Sequence, residues 1–333
     1  MEIPDDFQAS TDAFLRWFES QPNAQINSKV TLADLRAKNE GRGLVAQEDI
    51  TEDEVLFTIP RQSILNVRNS DLRTKAPNIL ADLDSWQSLI LVMIYEHLQG
   101  PSSPWKEYLD VLMAAQLDAL MFWSTDQLAE LQGSAVVHKI GRAEADQSFR
   151  EHLLPRIMAH PQLFPLSHDR GLDGSDDDVA NSILAKAHCM GSIILAYAFD
   201  IEEDEEDDES AHDTDNDAEE LVEDDEEAVI FPKGLVPMAD MLNADADMKN
   251  ARLFQGESSL TMNTLKAITK GEQIYNDYGP LPRSDLLRRY GYVTDAYAQY
   301  DVVELATAIV VQVISTQIGL EAEDLRARVS IFP

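Results

Sequence analysis

One cysteine, Cys189, is the chain's whole complement of that residue. It can form neither an internal disulfide nor a cysteine-rich zinc cluster. It lies in the apolar stretch AKAHCMGSIILAYAF, where it reads as a small buried hydrophobe. Histidine is sparse too: His97, His138, His152, His160, His168, His188 and His212 are scattered and make no metal-ligand set. Basic residues number 26 against 61 acidic ones, a formal net charge of −35. That balance disfavours a nucleic-acid-binding surface, because phosphates would be repelled, while it permits a basic protein partner. No apolar run is long enough to cross a bilayer. The start, MEIPDDFQAS, has neither the basic nor the apolar segment of a signal peptide, so a soluble, intracellular protein is expected. G-x-S-x-G, Walker and paired-carboxylate motifs are missing, as is any internal repeat.

The acid is unevenly spread. Residues 200–227 hold 19 Asp and Glu and no Lys or Arg. Low hydrophobicity and one-sign charge make 200–228 an acidic loop that does not fold alone. It reads first as a solvated insertion and second as a device for capturing a basic substrate. The remaining sequence, at 44% hydrophobic residues overall, supports a sizeable core.

Around that loop the patterns change twice. Residues 11–19 predict a short amphipathic helix capped near Ser10 or Thr11, with Phe14, Leu15 and Phe18 inward. VTLADL, GRGLVAQEDI and EVLFTIP are strand-like runs between polar and glycine turns. From 68 to 199 the period is helical. In SWQSLILVMIYEHL, Trp86, Leu89, Ile90, Met93, Ile94 and Leu98 recur behind Ser85 as a cap, and a second helix spans 179–199. Strand-like sequence returns in AVIFPKGLVPM, ARLFQ, LTMNTL and EQIYNDYG. PRSDLLRRYG then predicts a helix with Pro282 near its start and Gly291 just past its end, and a last helix spans 301–318. The expected class is α+β, two β-rich pieces joining into one unit with a helical block inserted between them.

Three segments carry candidate chemistry. Asn39-Glu40-Gly41-Arg42-Gly43-Leu44 lets a backbone approach a ligand closely, although alone it is an ordinary turn. Val236 to Asn243, VPMADMLN, ends on an amide with donors and an acceptor. Gly271 to Gly279, GEQIYNDYG, places Tyr278 beside a glycine at a strand end, with Tyr290-Gly291-Tyr292 shortly after. Such a hydroxyl can orient a nucleophile without ionising.

Together and in this order, these segments resemble the SET-domain lysine methyltransferases, in the branch typified by the Rubisco large-subunit methyltransferase. GRGLVAQEDI is similar to a cofactor-binding turn, LVPMADMLNADADMKNARL to the central asparagine motif, and KGEQIYNDYGPLPRSDLLRRYGYV to the C-terminal tyrosine motif. Leu120 to Trp123 and LAYAFD at 195–200 also resemble family segments.

The resemblance implies an N-terminal helix (1–22), a β-rich SET core in two parts (23–67 and 229–295), a helical insert (68–199), the acidic loop (200–228) and the start of a C-terminal helical domain (296–333). It implies S-adenosylmethionine as cofactor, held by Glu40, Gly41, Arg42, Gly43, Tyr197, Asn243, Ala244 and Tyr290. Tyr278 matches the catalytic tyrosine, Trp123 and Phe199 the lysine channel, and no metal is involved. Ala244 stands where the family commonly has histidine. The implied partner is a basic protein, a large-subunit ribosomal protein being the expected substrate, monomethylated in the nucleus. A non-catalytic SET-fold binding protein, and a methyltransferase acting on another residue or another protein such as a histone, are the alternatives.

Overall fold

The computed structural model describes residues 6–114, 118–166, 176–202, 232–303, 305 and 307–318. The strands are β1 (Gln25–Ile26), β2 (Val30–Asp34), β3 (Arg42–Ala46), β4 (Val55–Pro60), β5 (Ala198–Asp200), β6 (Lys233–Leu235), β7 (Asn243–Ala244), β8 (Ala251–Gln255), β9 (Ser259–Thr264) and β10 (Gln273–Asn276). The α-helices are α1 (Asp6–Glu19), α2 (Leu72–Lys75), α3 (Ser85–Gln99), α4 (Lys106–Met113), α5 (Thr125–Ala129), α6 (Arg142–Ser148), α7 (Leu154–Ala159), α8 (Asp176–Tyr197), α9 (Arg283–Tyr290) and α10 (Thr307–Ile318).

Strands from both ends of the chain share sheets. One sheet has the order β1-β4-β9-β8 and another β2-β3-β10-β7, while β5 and β6 pair alone. In β9 the burial alternates strictly, with Leu260, Met262 and Thr264 inward, as the two-residue period of a strand requires. Every pairing in these sheets is antiparallel except β7 on β10, which is parallel. The helical block from α2 to α8 lies between β4 and β5. The chain is thus α+β, with two distant β-rich pieces joined as expected.

At the centre, α3 is enclosed on all sides. Its apolar residues from Leu89 to Ile94 are buried without a break, so tertiary packing covers the face that periodicity alone left to solvent. Its cap is Asp84, whose carboxylate accepts from the Gln87 amide at 2.7 Å, and Ser85 is the first helical residue rather than the cap. The apolar helix α8 packs beside α3. Its stretch Asp177–Tyr197 is long and apolar enough to cross a membrane by composition, contrary to the expectation from the sequence. Ile183, Ala187, Met190 and Ile194 nevertheless face the protein core, which accounts for that composition.

Helix α1 already runs at Asp6. Ser10 and Thr11 are not its caps, for both hydroxyls donate back to the Phe7 carbonyl, at 2.9 and 2.8 Å. Trp17 joins Phe14 and Phe18 in the core while Leu15 stays half-buried. Full burial of Phe14 and Phe18 contributes roughly 1.5–3 kcal/mol each. Helix α8 stops at Tyr197, so Phe199 belongs to β5, and α10 begins at Thr307 rather than 301. Of the acidic loop, 203–228 falls outside the described residues, as do 229–231 at the start of the strand-like run that follows it. Asp200 is in β5, paired with Lys233 at 2.7 Å.

Candidate functional site

The sheet β2-β3-β10-β7 brings the three sequence segments together. Strand β10 pairs with β3 (Gln273 opposite Val45, Ile274 opposite Leu44) and on its other edge with β7 (Tyr275 opposite Asn243, Asn276 opposite Ala244). The turn before β3 needs left-handed backbone at Asn39 and Gly41, with φ of 62° and 64°, conformations that asparagine and glycine tolerate best. The Leu35 amide closes it by donating to the Gly41 carbonyl at 2.7 Å. The Asn243 side-chain amide then donates to the Arg42 carbonyl at 3.1 Å. Gly43 sits at the junction. A Cβ there would lie 2.4 Å from Leu35 Cδ1, 2.9 Å from Asn243 Nδ2 and 3.0 Å from Gln273 Nε2, so only glycine fits without displacement.

The turn that delivers Asn243 is strained. Met238 is fully buried with φ 73° and ψ −42°, a conformation rare outside glycine. Next to it Asp240 is buried and its Oδ2 accepts a short hydrogen bond from the Tyr108 hydroxyl. Burial raises the Asp240 carboxyl to about 8, opposed by the Tyr108 bond.

Tyrosines close the other side. Tyr278 follows β10 and precedes Gly279, whose φ is 80°. Its ring stacks on Tyr290 at 4.2 Å with parallel planes, and Tyr290 in turn lies 6.4 Å from Tyr292. Burial, and then the nearby phenols of Tyr290, Tyr292, Tyr197 and Tyr297, push the Tyr278 hydroxyl well above its ordinary range. Tyr292 is raised to about 12, by burial and then by the carboxylates of Asp245 and Glu40. Tyr275 is raised by burial and then by Glu40 and Asp245. At neutral pH all these hydroxyls are protonated in a field of negative sign.

The remaining sequence-predicted residues fall around this centre. Tyr197 ends α8, and its raised hydroxyl pKa is due to burial and then Asp240, with Arg42 opposing. The Arg42 side chain binds α1: it donates to Ser10 Oγ at 2.7 Å, Thr11 Oγ1 at 2.9 Å and the Phe7 carbonyl at 3.3 Å. Its guanidinium lies over the Phe7 ring at 4.0 Å. Its carbonyl accepts from the Asn243 amide. Trp123 is half-buried, its indole donating to the Asp118 carbonyl and carboxylate at 3.2 and 3.1 Å. That segment packs against the backbone of Gly291, where a Cβ would lie 2.5 Å from the Asp118 carbonyl oxygen. Phe199 pairs with Gly234 in the small sheet. Sequence reasoning missed Gln273, Asp240 and Tyr108. The first two stood inside the quoted motifs, and no local signal pointed to Tyr108.

The residues present fit a cationic ligand. Glu40 Oε2 and Gln273 Nε2 are buried without hydrogen-bond partners, the first an acceptor whose carboxylate acts on Tyr275 and Tyr292, the second a donor at the Gly43 junction. Uncompensated buried polar atoms cost stability unless a bound group completes them. Among the described residues no cluster of His, Cys, Asp and Glu could hold a metal ion.

Residues 41–279 match the family described as the SET domain. The ribosomal lysine N-methyltransferase 4 of Saccharomyces cerevisiae is 34% identical over 98% of this chain and 64% of its own length. The Schizosaccharomyces pombe protein of the same name is 29% identical over 88% of this chain and 69% of its own. Compared with the first of these, the chain thus spans less than two thirds of the relative's length. The solved SET domain of LSMT bound to lysine and AdoHcy superposes with a TM-score of 0.62 at 21% identity, covering 87% of this chain and 58% of that one. The AdoMet-bound Rubisco LSMT structure gives 0.59 at 21% identity, over 86% of this chain and 57% of that one. These likenesses concern the fold.

Proposed function

The chain belongs to the SET-domain family, and from that premise we propose that it is a protein-lysine N-methyltransferase using S-adenosylmethionine. The observation that carries this reading is the hydrogen bond from Asn243 to the Arg42 carbonyl beside the parallel β7–β10 pair. It makes one wall from the first two motifs, and β10 leads directly from that wall to Tyr278.

Glu40, Gly41, the Arg42 backbone, Gly43, Tyr197, Asn243, Ala244 and Tyr290 hold the cofactor. Glu40 Oε2 and Gln273 Nε2 are its unpartnered polar contacts. The cofactor supplies an electrophilic methyl group on a positively charged sulfur. The β7 backbone at Ala244 is retained, so the lack of a histidine there leaves main-chain contacts intact. The protein's further task is to align a neutral amine. Trp123 and Phe199 line its approach, and desolvation among aromatic rings lowers the lysine pKa so that the proton leaves to water. Tyr278, kept protonated by its buried surroundings, orients the amine through its hydroxyl oxygen and weak C–H···O contacts. Alignment of this kind lowers a barrier by roughly 7–11 kcal/mol in favourable cases.

The substrate we assign is a basic protein, a large-subunit ribosomal protein monomethylated in the nucleus. The names of the two yeast relatives support the class, and the net charge of −35 favours a basic partner. Incubation with tritiated S-adenosylmethionine and purified large-subunit ribosomal proteins tests this. Tritium should enter one protein band with the wild type and fall to background with Tyr278→Phe. Equal labelling by both proteins, or none by the wild type, overturns it.

A further inference from the structure

The strained turn before Asn243 has an anchor that the catalytic reading does not use. Asp240 is 8% exposed and Tyr108 is fully buried, and their hydrogen bond joins residues 132 apart in sequence. Tyr108 is itself fixed from the N-terminus: its ring stacks on Trp17 at 5.7 Å with 8° between planes, and Phe14 lies 5.8 Å away. Trp17 is tied to the Pro104 carbonyl at 2.7 Å. The same helix α1 grips the Arg42 side chain through Ser10, Thr11 and Phe7. Helix α1 therefore touches both partners of the Asn243–Arg42 contact, one directly and one through Tyr108 and Asp240.

We propose that Asp240 and Tyr108 are positioning residues that, braced by α1, hold the Met238–Leu242 turn so that the Asn243 amide meets the turn at Arg42 and Gly43. The inference rests on the methyltransferase reading of the site. The turn has weak bonds of its own. Asp240 N to Val236 O, Met241 N to Met238 O and Leu242 N to Ala239 O measure 3.2, 3.2 and 3.4 Å, long for backbone hydrogen bonds. With Met238 in a disfavoured conformation, such a turn persists only where its surroundings over-determine it. A buried carboxyl held by one phenol supplies that constraint. Asp240 Oδ1 has no partner, so loss of the Tyr108 hydroxyl leaves the carboxyl with nothing beyond its own backbone amide and the turn free to move toward water.

The test uses the full chain, with S-adenosylhomocysteine as calorimetric probe and thermal unfolding in parallel. Tyr108→Phe should weaken probe binding at least fivefold. Asp240→Asn, whose amide oxygen still accepts from Tyr108, should stay within twofold of wild type, whereas Asp240→Leu should match or exceed the Tyr108→Phe loss. Arg156→Ala is the control for a merely structural effect. It removes the bonds of 3.1 and 2.7 Å by which α7 is tied to the Ile79 and Ala81 carbonyls, away from α1 and Tyr108, and should lower the melting temperature without changing probe affinity. If Asp240→Leu does not fold, Tyr108→Phe alone decides. Wild-type affinity in Tyr108→Phe, or an equal loss in Arg156→Ala, overturns the inference and leaves the methyltransferase reading standing. No binding by the wild type overturns both.

Discussion

The Asn243 side-chain nitrogen lies 3.1 Å from the Arg42 carbonyl oxygen across 201 residues of sequence. One hydrogen bond thus joins a turn near the N-terminus to a motif beyond the acidic tract. Because the acceptor is a carbonyl, the contact needs a donor at position 243. Asn243→Asp removes that donor and sets one oxygen against another. The expected cost is about 1–3 kcal/mol, read by calorimetry as a dissociation constant for S-adenosylhomocysteine raised about 5- to 150-fold.

Gly43→Ala introduces a methyl group where Leu35, Asn243 and Gln273 already close in to 3.0 Å or less. Leu35 can swing away, but the Asn243 amide is held by its bond to the Arg42 carbonyl. We expect a folded protein destabilised by about 1–3 kcal/mol in urea unfolding, with cofactor affinity lost more steeply than stability.

Gly291→Ala strains the backbone at φ 76° and drives its Cβ onto the Asp118 main chain. Main chain gives way less easily than a side-chain end. Unfolding should become easier by about 2 kcal/mol or more. The fluorescence of Trp123, which hangs from Asp118, should shift toward that of an exposed indole.

Asp240 gives a pH signature. Its carboxyl is raised to about 8 from an ordinary 3.8, mainly by burial. Between those values the folded protein holds a proton that the unfolded chain has released, so this group's contribution falls as pH rises from about 4 to 8 and levels off above. The slope reaches up to about 1.4 kcal/mol per pH unit. Comparing urea unfolding of wild type and Asp240→Asn from pH 5 to 9 isolates it: the variant should gain on the wild type up to about pH 8. Parallel curves would contradict the assigned protonation.

What was legible in the sequence was local. Gly41, Gly43, Asn243 and Tyr278 stood in short motifs whose order announced the family, and Pro282 and Gly291 bounded α9 as read. What escaped depended on distant partners. Ser10 and Thr11 looked like caps, since hydroxyls favour that position. Here they bond back within α1 and receive Arg42. The two glycines around Arg42 signalled a close backbone approach, but nothing local said that its guanidinium is turned to α1. The Asp240–Tyr108 bond had no local signal, since α4 is placed against the motif only by the folded core.

The central claim is methyl transfer to a lysine amine at the site bounded by Asn243 and Tyr278. Tandem mass spectrometry of large-subunit ribosomal proteins, after incubation with S-adenosylmethionine and either wild type or Tyr278→Phe, tests it most directly. The account predicts one methyl group on a single lysine with the wild type and at least a hundredfold less with the variant. An unmodified substrate pool with the wild type, or the same modified lysine at equal yield with Tyr278→Phe, would contradict it.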